Sequence, residues 1–193
     1  MQQGIQLLIG LGNPGDKYRD NRHNVGFWFV DELARRYNIS LRPEGKFFGD
    51  TGKLDLPDGK CWLLKPMTFM NRSGKSASAL ARFYRIAPQN ILVIHDELDL
   101  PAGSARLKQG GGHGGHNGLR DIISALGSKD FWRLRLGIGH PGHRDKVTGY
   151  VLSRPSRDDQ QDIELAIDRS ADQIDKLLSG DYQAAMNQLH TKQ

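Results

Sequence analysis

The sequence predicts a three-layer α/β domain, with a mixed β-sheet sandwiched by α-helices. Short apolar runs alternate with segments of helical periodicity, the pattern of strands covered on both faces. A hairpin about Pro57-Asp58-Gly59 falls between the first two helices, which favours a mixed sheet over a purely parallel one. With 193 residues the chain suits one domain over 1–193, ending in an acidic helical segment from about residue 156.

Ile5–Leu11 is a short apolar run stopped by Gly12-Asn13-Pro14-Gly15, a buried strand and a turn. Val25–Tyr37 has apolar residues at helical spacing, with Asn24 in position to cap it. Phe47–Leu56 and Lys60–Lys65 form the hairpin, and Ser76–Ile86 reads as a helix ended by Pro88. Asn90–His95 is a β-branched run, as a central strand buried on both faces requires. Ser104–Lys108 is a further strand, and Asn117–Leu126 an amphipathic helix closed by Gly127. Arg133–Ile138 alternates strictly, so that one face meets the core and the other presents arginines. One helix is predicted from about Ser156 to Leu178 and another from Tyr182. Ligands in such sheets collect beyond the carboxyl ends of the strands, which puts Gly12–Gly15 and His95–Asp99 at one rim.

Composition narrows the classes. At 37% hydrophobic and 25% charged residues the chain is an ordinary globular protein, not a disordered tail. No apolar run approaches the roughly 18 residues of a membrane span, and Met1–Gly4 lacks the basic start of a secretory signal. A single cysteine, Cys61, excludes an internal disulfide framework and a cysteine-built zinc site. A cytoplasmic protein is expected. Residues 155–193 carry four Lys/Arg against eight Asp/Glu, whereas residues 1–154 carry 23 against 14. A basic body points to a polyanionic partner, nucleic acid first. The acidic tail is a poor phosphate binder, so it is expected to cap another side of a site or to pack on the body.

Gly10-Leu11-Gly12-Asn13-Pro14-Gly15 matches a dinucleotide fingerprint. That reading needs a helix opening at the third glycine to hold a pyrophosphate. Here Asp16–Asn24 are polar and aperiodic, so the glycines are read as a turn that aims Asn13 into the rim. His95-Asp96-Glu97-Leu98-Asp99 ends a buried strand with ionisable groups, either solvated or functional. His95 and Asp96 point to opposite sides of that strand. Gly110–Gly115, followed by His116-Asn117-Gly118 and flanked by Lys108 and Arg120, is either a flexible loop before an Asn117 cap or a cradle for an oxyanion. The spacings His113/His116 and His140/His143 lie in glycine-rich loops and match no zinc signature, so no metal and no cofactor are expected. There is no G-x-S-x-G elbow, and Cys61 reads as a packed thiol. What remains is general-base chemistry, a histidine held by a carboxylate and activating water.

Five separated segments then fall into one pattern: Gly10–Gly15, Arg22-His23-Asn24, Lys65-Pro66-Met67-Thr68-Phe69-Met70-Asn71, His95–Pro101 and Gly110–Gly118. Together they resemble bacterial peptidyl-tRNA hydrolase, from Ile5 to about Leu152 and more loosely through the tail. The resemblance implies hydrolysis of the ester between a peptide and the terminal ribose of tRNA, by a monomer without metal, on the fold described above. It implies His23 as catalytic base and Asp96 as its carboxylate partner. It places Asn13, Tyr18, Met70, Asn71, His116 and Asn117 at the substrate, and Lys108 and Arg135 on a basic surface facing tRNA phosphates. A non-catalytic RNA-binding relative and a metal-dependent hydrolase are the alternatives. The implied chemistry is sound. An ordinary imidazole, with a pKa of about 6.5, is mostly neutral at pH 7, and a carboxylate can fix its tautomer. Asparagine amides can bind peptide carbonyls, and one can donate to the developing oxyanion.

Overall fold

The structure, a computed structural model, describes residues 3–190. Met1 and Gln2, half of the stretch in which no secretory signal is read, lie outside the described residues. Among the described residues seven strands form one sheet in the order β2-β3-β4-β1-β5-β7-β6: β1 Leu7–Gly10, β2 Arg42–Glu44, β3 Gly49–Leu56, β4 Gly59–Pro66, β5 Ile91–Glu97, β6 Ala105–Gln109 and β7 Trp132–Gly137. Strands β4, β1, β5 and β7 run parallel; β2, β3 and β6 extend the two edges antiparallel. The mixed sheet thus stands as expected, with β2 added. That strand has only three residues, all exposed, and carries no apolar alternation to betray it.

Helices α1 (Val25–Arg36), α5 (Arg157–Ala171), α6 (Ile174–Ser179) and α7 (Tyr182–His190) bring apolar residues to one core with Leu8, Leu63, Ile94 and Leu134. Helices α2 (Ser73–Phe83) and α3 (Asn117–Leu126) cover the other face around Ile9, Leu64 and Val93. Short α4 (Val147–Val151) lies between the last strand and the tail. Burial of these apolar side chains, at ~25 cal/mol per Å², is the main force holding the layers.

Several boundaries differ from the sequence reading for local reasons. Helix α2 starts three residues earlier and stops at Phe83, because Arg85 turns left-handed (φ 54°) and Ile86 N–H returns to the Ala81 carbonyl. Pro88 follows that stop and does not cause it. The tail helix expected over 156–178 breaks at Asp172-Gln173, where no glycine or proline marks the turn. The break lets α6 lie against β4 while α5 lies against α1. Gly10 and Gly12 serve close packing: a Cβ on Gly10 would meet the Gly26 carbonyl at 2.2 Å, and one on Gly12 the Phe27 ring at 2.7 Å. Only Gly15 among them needs a positive φ, 104°. The strand arginines also depart from expectation. Arg133 is buried, not presented to solvent.

Candidate active site

The parallel strands β1 and β5 end at the same rim, and the loops leaving them supply the chemistry. His23 sits in a 3₁₀ turn, Arg22–Asn24, that runs into α1. Its Nδ1 lies 2.8 Å from Oδ2 of Asp96, the penultimate residue of strand β5. The second carboxylate oxygen, Oδ1, lies 2.8 Å from His116 Nε2. Burial depresses the basicity of His23, but the Asp96 charge and hydrogen bond outweigh it, so its pKa is raised above 6.5. Burial alone would raise the Asp96 pKa, yet the imidazoles on both oxygens hold it well below the carboxylate range. His95 is also at the wall of the site. Its Nδ1 bonds the Asp96 carbonyl at 2.8 Å, its ring stands 5.1 Å from that of His116, and burial lowers its pKa to about 4.

Asn24 does not cap α1 through its side chain. It clamps the Asn13 backbone instead, accepting from Asn13 N–H and donating to Asn13 C=O, both at 2.9 Å. Asn13 Oδ1 in turn accepts the Met70 backbone N–H at 2.7 Å. With Oδ1 so occupied, the Nδ2 amide is what Asn13 can offer a ligand. Asn24 is thus a supporting residue that helical spacing hid, because a residue just before a helix reads as a cap.

These side chains line a cavity of about 530 Å³. Asn13, His23, Met70, Asn71, Asp96, His116 and Asn117 all face it, together with Phe69. Phe69 is 59% exposed, a large apolar side chain left at the mouth. Gly118 permits the approach of α3 to Met70, since a Cβ there would meet the sulfur at 2.6 Å. Asn117 opens α3 as an exposed first residue, and the cap is His116, whose Nδ1 accepts from Gly118 and Leu119 N–H. Val147, Thr148, Val151 and Leu152 close the far wall. Their anchor is Arg22, which bonds Ser153 Oγ at 2.6 Å and stacks its guanidinium 3.8 Å over the Tyr150 ring. Helix α4 and Leu152, which precede the acidic tail, thus border the cavity, while α5–α7 pack on the body.

Tyr18 is not brought to the cavity. It ends a separate 3₁₀ turn, half-buried, with Lys17 Nζ over its ring. Lys108 and Arg135 also lie outside it, on one face of β6 and β7 with Arg106, which pairs across from Arg135. Lys108 and Arg106 are exposed; Arg135 bonds Glu97 at 2.9 Å. Beneath the glycine loop, Arg133 donates to the carbonyls of Gly111 and Gly112 at 2.6 and 2.5 Å. Four glycines of that loop, at 110, 111, 114 and 115, have positive φ. The buried guanidinium therefore holds the loop by its carbonyls. Cys61 is buried, and burial pushes its thiol far up, in keeping with a packed thiol.

Nδ1 of His23, the Asp96 carboxylate and Nε2 of His116 lie within 4.8 Å of one another, a donor set of the type zinc uses. Each imidazole is, however, already hydrogen-bonded to one carboxylate oxygen, and a cation would have to displace both bonds. His140 and His143 spend Nδ1 on the backbone N–H of Gly142 and Asp145.

The geometry agrees with what the chain is similar to. A protein-family model described as peptidyl-tRNA hydrolase matches residues 7–193. The peptidyl-tRNA hydrolase of Halorhodospira halophila is 60% identical over 96% of both chains. That of Haemophilus influenzae is 56% identical over 97% of both. The crystal structure of peptidyl-tRNA hydrolase from Acinetobacter baumannii superposes with a TM-score of 0.96 at 47% identity, covering 100% of this chain and 98% of that one. A model match over nearly the whole length, on a sheet that carries the five motif segments to one rim, assigns the chain to the peptidyl-tRNA hydrolase family.

Proposed function

We propose that the chain hydrolyses the ester joining a peptide to the terminal ribose of tRNA, with His23 as general base and Asp96 as its carboxylate partner. The observation that carries this is the His23–Asp96 bond of 2.8 Å in the wall of a cavity bordered by Asn13, Asn71 and Asn117, in a chain of this family. With Nδ1 donating to Asp96, Nε2 keeps its lone pair for a water. The water oxygen attacks the ester carbonyl as His23 Nε2 takes its proton, and Asp96 steadies the imidazolium that forms. The oxyanion intermediate collapses, the ribose oxygen leaves with the proton from Nε2, and the products are a peptide carboxylate and free tRNA.

The asparagine amides suit peptide carbonyls, and one of them suits the developing oxyanion, because a neutral donor stabilises charge that appears only in the transition state. Met70 offers apolar surface beside them. Arg106, Lys108 and Arg135 give the acceptor stem a basic face, and binding there weakens with salt. Residues 1–193 act as one domain and as a monomer in the cytoplasm, where tRNA is found. Among the described residues no helix is long and apolar enough to cross a membrane.

The test is tRNA release from an N-acetylated aminoacyl-tRNA by chelator-treated protein, with the unacetylated form alongside. Cleavage of the acetylated form alone, abolished in His23→Ala, supports the reading. Loss of cleavage on chelation would favour a metal-dependent hydrolase, and tRNA binding without cleavage would favour an RNA-binding relative.

A further inference from the structure

We propose that His116 is a positioning residue that acts on the base through Asp96: the first turn of α3 locks it as the Nε2–H tautomer, and that N–H orients the carboxylate and shares its charge with His23. The inference rests on the reading of His23 as the base, and it moves His116 from substrate contact to support.

His116 Nδ1 lies 3.2 Å from the backbone N of Gly118 and 3.3 Å from that of Leu119, and both N–H groups point at it. A nitrogen facing two donors must offer its lone pair. The ring proton is therefore on Nε2, 2.8 Å from Asp96 Oδ1. A second proton on Nδ1 would oppose both N–H groups and sit at the positive end of a ten-residue helix. The helix cap and the carboxylate contact are thus two ends of one ring, and each requires the other's tautomer.

The consequence falls on Asp96, whose side chain is only 2% exposed. Its two oxygens are each taken by one imidazole, so its charge is divided between His23 and His116. Among the described residues few groups face this pair. His95 and Asp96 come from β5 and His23 from its 3₁₀ turn; Glu97, His113 and Arg144 stand at the cavity wall. Buried His95, with its Nε2 unpartnered, adds no charge. Without the His116 N–H, Asp96 would present more negative charge to His23 and would lose one of the two bonds that fix its rotation.

Two variants separate the cap from the carboxylate contact. Asn is a good N-cap but is too short to keep the Asp96 bond, so His116→Asn keeps the first and loses the second. His116→Ala loses both. In the free full-length protein, the His23 titration followed by NMR is expected to move up by about one pH unit in both variants. His116→Ala, which also loses the cap, should lower Tm further than His116→Asn. With N-acetylated aminoacyl-tRNA, kcat should fall roughly tenfold and KM stay within about twofold. An unmoved His23 titration, with KM raised and kcat retained, would make His116 a substrate contact and overturn the proposal. Ring ¹⁵N shifts of the unmodified protein give a test that needs no variant: a neutral His116 ring carrying its proton on Nδ1 also overturns it. Failure of the proposed function would show instead as no hydrolysis by the unaltered protein, whereas the ring shifts and the titration need no substrate.

Discussion

Asp96 joins His23 and His116 through its two carboxylate oxygens, and its replacement discriminates best. Asp96→Asn keeps the shape but can present an amide N–H to His23, which favours the wrong tautomer; kcat is expected to fall by about 10²–10⁴ with the fold intact by circular dichroism. The acid limb of kcat/KM should have its midpoint above 6.5, because the His23 pKa is raised in the free protein. Stability follows the same groups. His23, with its folded pKa raised, contributes stability that is full below about 6.5 and is lost as pH rises through the folded value. Asp96, with its folded pKa depressed, contributes stability above about 3.9 that is lost as pH falls through the folded value. The Tm gap between the unaltered protein and His23→Gln should therefore be widest near pH 5.5 and narrow above neutrality. None of this pairing is legible at His23 alone. In sequence it is a loop histidine 73 positions from its partner, and only the resemblance singles it out.

At the scale of elements, α1 sits close to β1, and the glycine loop that follows β6 is held from below. A Cβ on Gly26 would meet Leu11 N at 2.4 Å and Ile94 O at 2.5 Å, both backbone atoms that cannot step aside. Gly26→Ala should cost about 3 kcal/mol in denaturant unfolding. Gly118→Ala meets the flexible end of Met70 first, so its stability loss should be smaller. Arg133→Met would strip the donors from the Gly111 and Gly112 carbonyls and should cost roughly 2–4 kcal/mol, with faster proteolysis within 110–115. Helix α3 was legible to the residue, since its periodicity and the left-handed Gly127 agree. The α5–α6 break was not, because packing on β4 imposes it where composition gives no punctuation.

At the scale of the molecule the acidic tail and one basic patch lie on opposite faces of the sheet. Helices α5–α7 carry the acids on the α1 side of the sheet, where Arg36 bonds Asp172 at 2.7 Å. Arg106, Lys108 and Arg135 stand on the opposite face at the β6–β7 edge. Lys108→Ala should weaken tRNA binding about equally for all tRNA sequences and reduce the slope of log K against log salt by about one. Filter binding across a salt series reads both. Its effect on cleavage of a short N-acetylated aminoacyl-nucleotide should be small, since that substrate lacks the stem.

The amino-acid sequence by itself determined the layers, most strand and helix limits, and the segments that meet at the rim, because apolar period and turn residues act over a few neighbours. Tertiary structure alone decided which polar groups pair. Asn24 became a clamp on Asn13 and not a cap, His116 took the cap expected of Asn117, and Arg133 went under the glycine loop. Each reversal has the same cause. A buried polar group is settled by whatever donor or acceptor reaches it in space, and a hydrogen bond between distant segments leaves no period in the chain.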